Sequence, residues 1–173
     1  MSDNPLYSDV KIDGKPYQKG DYAKYAVWND KEIKGFFGEN RWLSNFWPVN
    51  IFGFPSVENA YMAAKIVLGD REYFKTCSPT EAKKNWRKFK LKDAAPSDWD
   101  ARKFDVMSRC IFEKFLVDLE LRSKLLNTRD KYLEELNFWG DTYWGVDIKK
   151  GGKNNLGKIL MGVRDFWKNQ NKV

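Results

Sequence analysis

At Pro55 the texture of the chain changes, and that change limits the architectures open to it. Upstream, "IKGFFG" and "NIFGF" are short aromatic and β-branched runs bounded by Gly, Asn and Pro, which predicts strands separated by a loop from Glu39 to Pro48. Further upstream, "DVKIDGKPYQKG" alternates around Asp13-Gly14, a dipeptide favoured in tight hairpins. Downstream the pattern is helical. Ser56 can cap a helix from about Val57 to Leu68, closed by Gly69-Asp70, and Ser78-Pro79-Thr80-Glu81 is a capping box with proline at the first helical position. Ser97-Asp98-Trp99-Asp100 opens another helix, in which Phe104, Met107, Ile111, Phe115 and Leu119 recur at helical spacing as a core stripe. "LELRSKLLNT" continues or restarts helix to about Asn127, and "NFWGDTYWG" reads as short strand or loop. A last helix carries Leu156, Ile159, Leu160, Val163 and Trp167 on one face.

Strands gathered early and helices late predict an α+β class: a mostly helical single domain with a small sheet from the N-terminal third. A length of 173 residues suits one core. The expected organisation is an N-terminal arm over 1–30, with a hairpin, and a domain over 31–173. No basic-then-apolar leader opens the chain, and no run nears the roughly 18 apolar residues of a membrane span. Two distant cysteines, Cys77 and Cys110, suit neither a disulfide framework nor a thiolate metal site, so a cytoplasmic setting without membrane attachment is expected.

The chain contains no histidine. Ser-His-Asp and Cys-His systems, histidine-ligated zinc and histidine acid–base catalysis are therefore excluded, which leaves carboxylates, lysines and tyrosines for any chemistry. Lys plus Arg total 31 against 24 Asp plus Glu, a net charge of +7, and eight tryptophans are present, a balance suited to anionic partners. Solvated lysines would give the same balance.

Positions 58, 61, 62 and 65 fall on one face of the helix after Pro55. Glu58 and Lys65 thus share a stripe with Tyr61 and Met62, roughly 10 Å apart along the axis, a separation that can flank a bound group. Ala60, Ala63, Ala64 and Val67 form a small apolar opposite side. A carboxylate that complements the helix dipole and a lysine that snorkels to solvent would account for the two charges equally well. "GGKNN" before "LGKILMGVR" offers a glycine-rich approach and free N–H groups to a phosphate, or is simply a helix start. Asp141 in "GDTYWG" is either a half-buried acid or an Asx-turn residue. Trp99, Trp139 and Trp144 can stack on a base or belong to a core, and Lys83, Lys84, Arg87 and Lys88 can track a phosphate backbone or form a solvated face.

In this order, "LSNFWP", "PSVENAYMAAK", "SPTEAKKNW", "DTYWG" and "GGKNNLGKILMGVR" resemble the YbiA-like family, or NADAR superfamily, over roughly Phe36 to Trp167. The resemblance implies an N-glycosidase that cleaves a bond between a ribose anomeric carbon and nitrogen. The substrate it implies carries ADP-ribose or phosphoribose: ADP-ribosylated guanine, free or in nucleic acid, or a phosphoribosylamino-pyrimidine of riboflavin synthesis. A module that binds NAD or ADP-ribose without turnover is the non-enzymatic alternative. Glu58, Lys65 and Asp141 match family positions with catalytic roles. Asn45, Trp99, Trp144, Asn154, Gly157 and Arg164 match substrate-binding ones. No cofactor or metal is implied. Where the family often has histidine after the glutamate and glutamine three positions further, this chain has Asn59 and Met62.

Overall fold

The computed structural model describes residues 11–12, 15–16, 27–66, 71–90 and 98–170. The fold is α+β with small sheets, and its contacts divide it into two compact units. One gathers the chain up to Ser44 with Leu125 onward; the other is Asn45–Lys124.

In the first, the sheet unit, β1 (Lys11–Ile12) pairs antiparallel with β2 (Lys15–Pro16). The Asp13-Gly14 turn itself lies outside the described residues. β3 (Val27–Trp28) and β4 (Glu32–Lys34) form an antiparallel hairpin. Asn29 shapes its turn, because its side-chain oxygen accepts from the amides of Lys31 and Glu32 at 2.8 and 2.9 Å. β5 (Tyr132–Glu134), a hundred residues later in the chain, adds parallel to β4, with Ile33 opposite Leu133 and both fully buried. The sheet thus combines the N-terminal third with a late strand. β6 (Leu136–Asn137) and β7 (Val146–Asp147) form a second parallel pair. α6 (Asn155–Gln170) packs on β5 through a face that includes Leu156, Ile159, Leu160 and Val163, as its periodicity predicts. Trp167 is only half-buried. Gly157 permits that packing, since any side chain there would run into the Leu133 carbonyl.

The helical unit comprises α1 (Val57–Ala64), α2 (Tyr73–Thr76), α3 (Pro79–Lys90) and α4 (Trp99–Val117). α1 packs on the other three, and every residue from Val57 to Ala63 is buried. Ser56 caps it as expected, its oxygen accepting from the Asn59 amide at 3.1 Å. Asn59 is fully buried and donates to the carbonyls of Phe74 and Cys77, both at 2.9 Å, which ties the α2 segment to α1. Asn59 is therefore a brace between the two segments. Ser78 and Glu81 close the capping box reciprocally, amide to carboxylate at 2.8 Å and amide to hydroxyl at 3.2 Å. α5 (Leu119–Asn127) then carries the chain across the boundary between the units.

Four expectations are corrected. "NIFGF" is a tight reversal closed by mutual Ile51–Phe54 backbone bonds, and not a strand, because Phe52 and Gly53 both have positive φ, 50° and 79°. The first half of the expected loop from Glu39 to Pro48 forms a 3-10 helix, Gly38–Leu43. α1 stops at Ala64, short of Leu68; Val67 and Gly69-Asp70 lie outside the described residues. Finally, the α4 stripe buries Met107, Ile111 and Phe115 but leaves Phe104 and Leu119 exposed, while Cys110 and Lys114 are buried instead.

Candidate active site

The cap at Ser56 sets the position of Glu58. Its amide donates to the Asn45 carbonyl at 3.0 Å, so the "SNF" segment holds the first turn of α1, and its side chain is 4% exposed. Burying a carboxylate is costly. The Cys110 thiol is pushed up to about 12, first by burial and then by the charges of Glu113 and Glu58. This cysteine is accordingly no thiolate nucleophile at neutral pH.

Asn45 is 8% exposed. Its Nδ2 lies 3.4 Å from the Met107 sulfur, and its Oδ1 is buried with no hydrogen-bond partner among the described residues. A buried acceptor without a partner in a native fold calls for a ligand or a water.

Lys65 follows the last residue of α1 and keeps helical dihedrals, φ −74° and ψ −14°, so it stays on the Glu58 face. Its Nζ stands 4.4 Å from the centre of the Trp86 ring, 4.8 Å from Tyr61 and 5.7 Å from Trp99. Tyr61 and Trp99 also touch each other, with centroids 5.3 Å apart at 54°. Lys65 is thus boxed by rings from α1, α3 and α4. Ring faces attract cations, so the box favours the ammonium over the free amine that a nucleophile requires. The small face of α1 borders a different space, a mostly apolar hollow of about 290 Å³ lined by Ala60, Ala63, Ala64 and Cys110 with the exposed Arg71 and Arg109. Glu58 and Lys65 are not among its lining residues.

The other predicted site residues belong to the sheet unit. Asp141 forms an Asx turn: its Oδ1 accepts from the amides of Tyr143 and Trp144 at 3.1 and 2.8 Å. Fully buried Asn137 pins the same loop, accepting from the Asp141 amide and donating to its carbonyl. Trp144 meets Tyr143 edge to face at 4.8 Å. The N–H groups expected to be free at the start of α6 are used: Lys153, Asn154, Asn155 and Leu156 donate to the carbonyls of Thr142, Gly145, Tyr143 and Trp144. That helix start is therefore closed by its own loop, against the expectation of an open phosphate cradle.

Asn154, at φ 52°, accepts from the Glu135 amide and donates to the Tyr132 hydroxyl and the Leu133 carbonyl. Arg164 is buried, and its Nη1 donates to the Thr128 hydroxyl at 2.9 Å and the Lys131 carbonyl at 2.8 Å. Both side chains, like Gly157, brace α6 against β5 and its approach.

Sequence reasoning passed over Trp86, Lys114 and Asp147, and took Asn59 only as a departure from the family pattern. Lys114 is fully buried and sits three and seven residues beyond Ile111 and Met107, a spacing that marks it as part of the α4 stripe. Asp147 gave no local signal. Its two oxygens accept from the amides of Gly140, Lys149 and Lys150. Burial raises its pKa, but those amides and the Lys150 charge outweigh burial and leave it below the usual value. Among the described residues no group of Cys, Asp and Glu could hold a metal ion, and no helix is long and apolar enough to cross a membrane.

The NADAR domain family model matches residues 27–167. An N-glycosidase of Nostoc punctiforme is 42% identical over 72 residues, 42% of this chain and 46% of that protein. The riboflavin biosynthesis protein PYRR of Zea mays is 32% identical over 168 residues, 86% of this chain but 25% of that protein. N-glycosidase YbiA of Escherichia coli is 32% identical over 131 residues, 71% of this chain and 79% of that one. The solution structure of the E. coli protein superimposes with a TM-score of 0.73 and 29% identity, covering 84% of this chain and 90% of the other. The chain spans about half of the Nostoc protein and a quarter of the maize protein.

Proposed function

The chain belongs to the NADAR domain family, and from that premise we propose that it is an N-glycosidase that hydrolyses a ribosyl C–N bond, removing ADP-ribose from modified guanine. One observation carries the reading: a buried carboxylate, Glu58, lies on the same helix face as the ring-boxed cation of Lys65, and its amide is held by Asn45, whose buried Oδ1 has no partner among the described residues.

The chemistry follows from that arrangement. Departure of the base nitrogen leaves an oxocarbenium-like sugar, and a carboxylate in a poorly hydrated setting stabilises it or takes the proton of the attacking water. The nitrogen leaves with a proton. Asp141 is assigned to supply that proton or to position the ribose through Oδ2, since Oδ1 is committed to its turn. In a variant, the Lys65 amine bonds to the anomeric carbon as the bond to the protonated base nitrogen breaks, a proton passes from that amine to the ring oxygen as the sugar opens to an iminium, and water hydrolyses the iminium to free the sugar and the amine. Asn45, Trp99 and Trp144 are assigned to contact the substrate, and Asn154, Gly157 and Arg164 to maintain the sheet unit. No metal or cofactor enters this scheme, and a cytoplasmic setting accords with two free, buried cysteines.

The net charge of +7 and the exposed Lys83, Lys84 and Lys88 of α3 favour guanine carried in nucleic acid. The Arg87 side chain lies outside what is described. A second substrate reading is the other substrate that the resemblance implies, a phosphoribosylamino-pyrimidine, and the words riboflavin biosynthesis in the name of the maize relative favour it. The test is a comparison of kcat/KM for an ADP-ribosylated guanine oligonucleotide and for the pyrimidine ribosylamine. Preference for the oligonucleotide is expected. Cleavage of the ribosylamine alone would move the assignment to the second reading, and binding of ADP-ribose with no product from either would leave a binding module.

A further inference from the structure

We propose that Trp86 is a positioning residue for Lys65, its ring face holding the side-chain nitrogen in its cationic states. The inference deepens the reading above and rests on it for the role of Lys65, although the box itself is a matter of geometry. Of the three rings, Trp86 lies nearest the nitrogen, at 4.4 Å. Tyr61 is 3% exposed and in contact with Trp99, so those two rings form a fixed corner and Trp86 closes the box from a separate helix. α3 is well anchored for that purpose: its capping box fixes its start, and Ala82, one turn before Trp86, is fully buried.

Lys65 needs such a device. It sits just past the end of α1, on a long side chain whose freedom is costly to restrict, and ring faces restrict a cation without taking its hydrogens. If Lys65 acts as an ammonium, the box orients the charge. If it attacks carbon, the ammonium gives one proton to solvent, the amine bonds to the anomeric carbon as the bond to the protonated base nitrogen breaks, and a second proton passes from nitrogen to the ring oxygen as the sugar opens to an iminium whose positive nitrogen lies again among the rings. In both cases the quadrupole of Trp86 acts on the state that matters, which a purely apolar side chain of similar bulk could not do.

The experiment separates ring electrostatics from packing. Position 86 of the full chain is changed to a tryptophan fluorinated on its benzo ring, which keeps the shape and weakens the negative face; W86F and W86L accompany it. Trace acetylation of Lys65 is read by mass spectrometry without substrate, with Lys168, which pairs with Asp130 at 2.7 Å, as the internal reference. Loss of cation stabilisation exposes more free amine, so Lys65 labelling should rise about three- to tenfold in the fluorinated protein and most in W86L, with W86F, whose ring face is weaker than that of tryptophan, also above wild type and below W86L. Turnover of the ribosyl substrate should fall in the same order, in kcat more than in KM. Equal Lys65 labelling in the wild-type and fluorinated proteins overturns the proposal. Because labelling needs no substrate, a protein that shows the labelling order yet cleaves nothing would instead refute the glycosidase reading and leave the role of Trp86 standing.

Discussion

Two buried asparagines separate the two units. Asn154 of the sheet unit is 2% exposed, and its amide is used in both senses, accepting from Glu135 and donating to Tyr132 and Leu133. Asn45 of the helical unit is 8% exposed, yet its Oδ1 meets no partner among the described residues and its nitrogen makes only a weak contact with sulfur. The sequence led to the expectation that both bind substrate, and their environments differ. A satisfied buried amide contributes to stability, whereas an unsatisfied one lowers stability and keeps a site ready for a ligand. The contrast extends outward, to Gly157, Arg164 and Asp147 on one side and Glu58 with Lys65 on the other.

The sharpest way to break the contrast is Glu58→Gln. It preserves shape and the amide contact with Asn45, so kcat/KM should fall about a thousandfold while thermal stability stays close to wild type. A matching loss of stability would place Glu58 with the scaffold. Asn154→Ala should do the reverse. It strands the Glu135 amide and the Leu133 carbonyl, which costs about 3 kcal/mol in urea unfolding and leaves turnover per folded molecule nearly unchanged. Asp141→Asn separates the acid from the turn, because the amide oxygen can still accept from Tyr143 and Trp144. A fall of about a hundredfold in kcat is expected with the fold intact, and unchanged kcat would confine Asp141 to its turn.

Asn45→Ala is smaller and more diagnostic: stability should change by under about 1 kcal/mol, with kcat/KM lower by about tenfold. The smallest effect concerns acid. The folded pKa of Asp147 lies below its unfolded value, so its contribution is present above that unfolded value, near 3.8, and is lost as pH falls through the folded one. Urea midpoints measured from pH 5 downward should drop more steeply in the wild type than in Asp147→Asn.

What the sequence revealed of this division depended on whether the physics was local. Caps are local, so Ser56 and the Ser78–Glu81 box were legible, as was the α6 stripe. The addition of β5 to β4 joins segments a hundred residues apart and leaves no mark in either one. The reversal at Phe52-Gly53 was hidden because a phenylalanine at positive φ is an unusual choice for such a turn. At the site, helical periodicity placed Glu58 and Lys65 on one face. It could not supply Trp86, whose part depends on how α3 packs against α1. Nor could it show that the amides before α6 would be taken up by residues 142–145.

The central claim is that the carboxylate of Glu58 breaks a ribosyl C–N bond. Its most direct test incubates the wild-type and E58Q proteins, at equal folded concentration, with the ADP-ribosylated guanine oligonucleotide and with the pyrimidine ribosylamine, and quantifies released base and sugar by mass spectrometry. The wild type should release base and sugar in equal amounts from at least one substrate, and E58Q about a thousandth as fast. Release from neither, or equal rates for the two proteins, would contradict it.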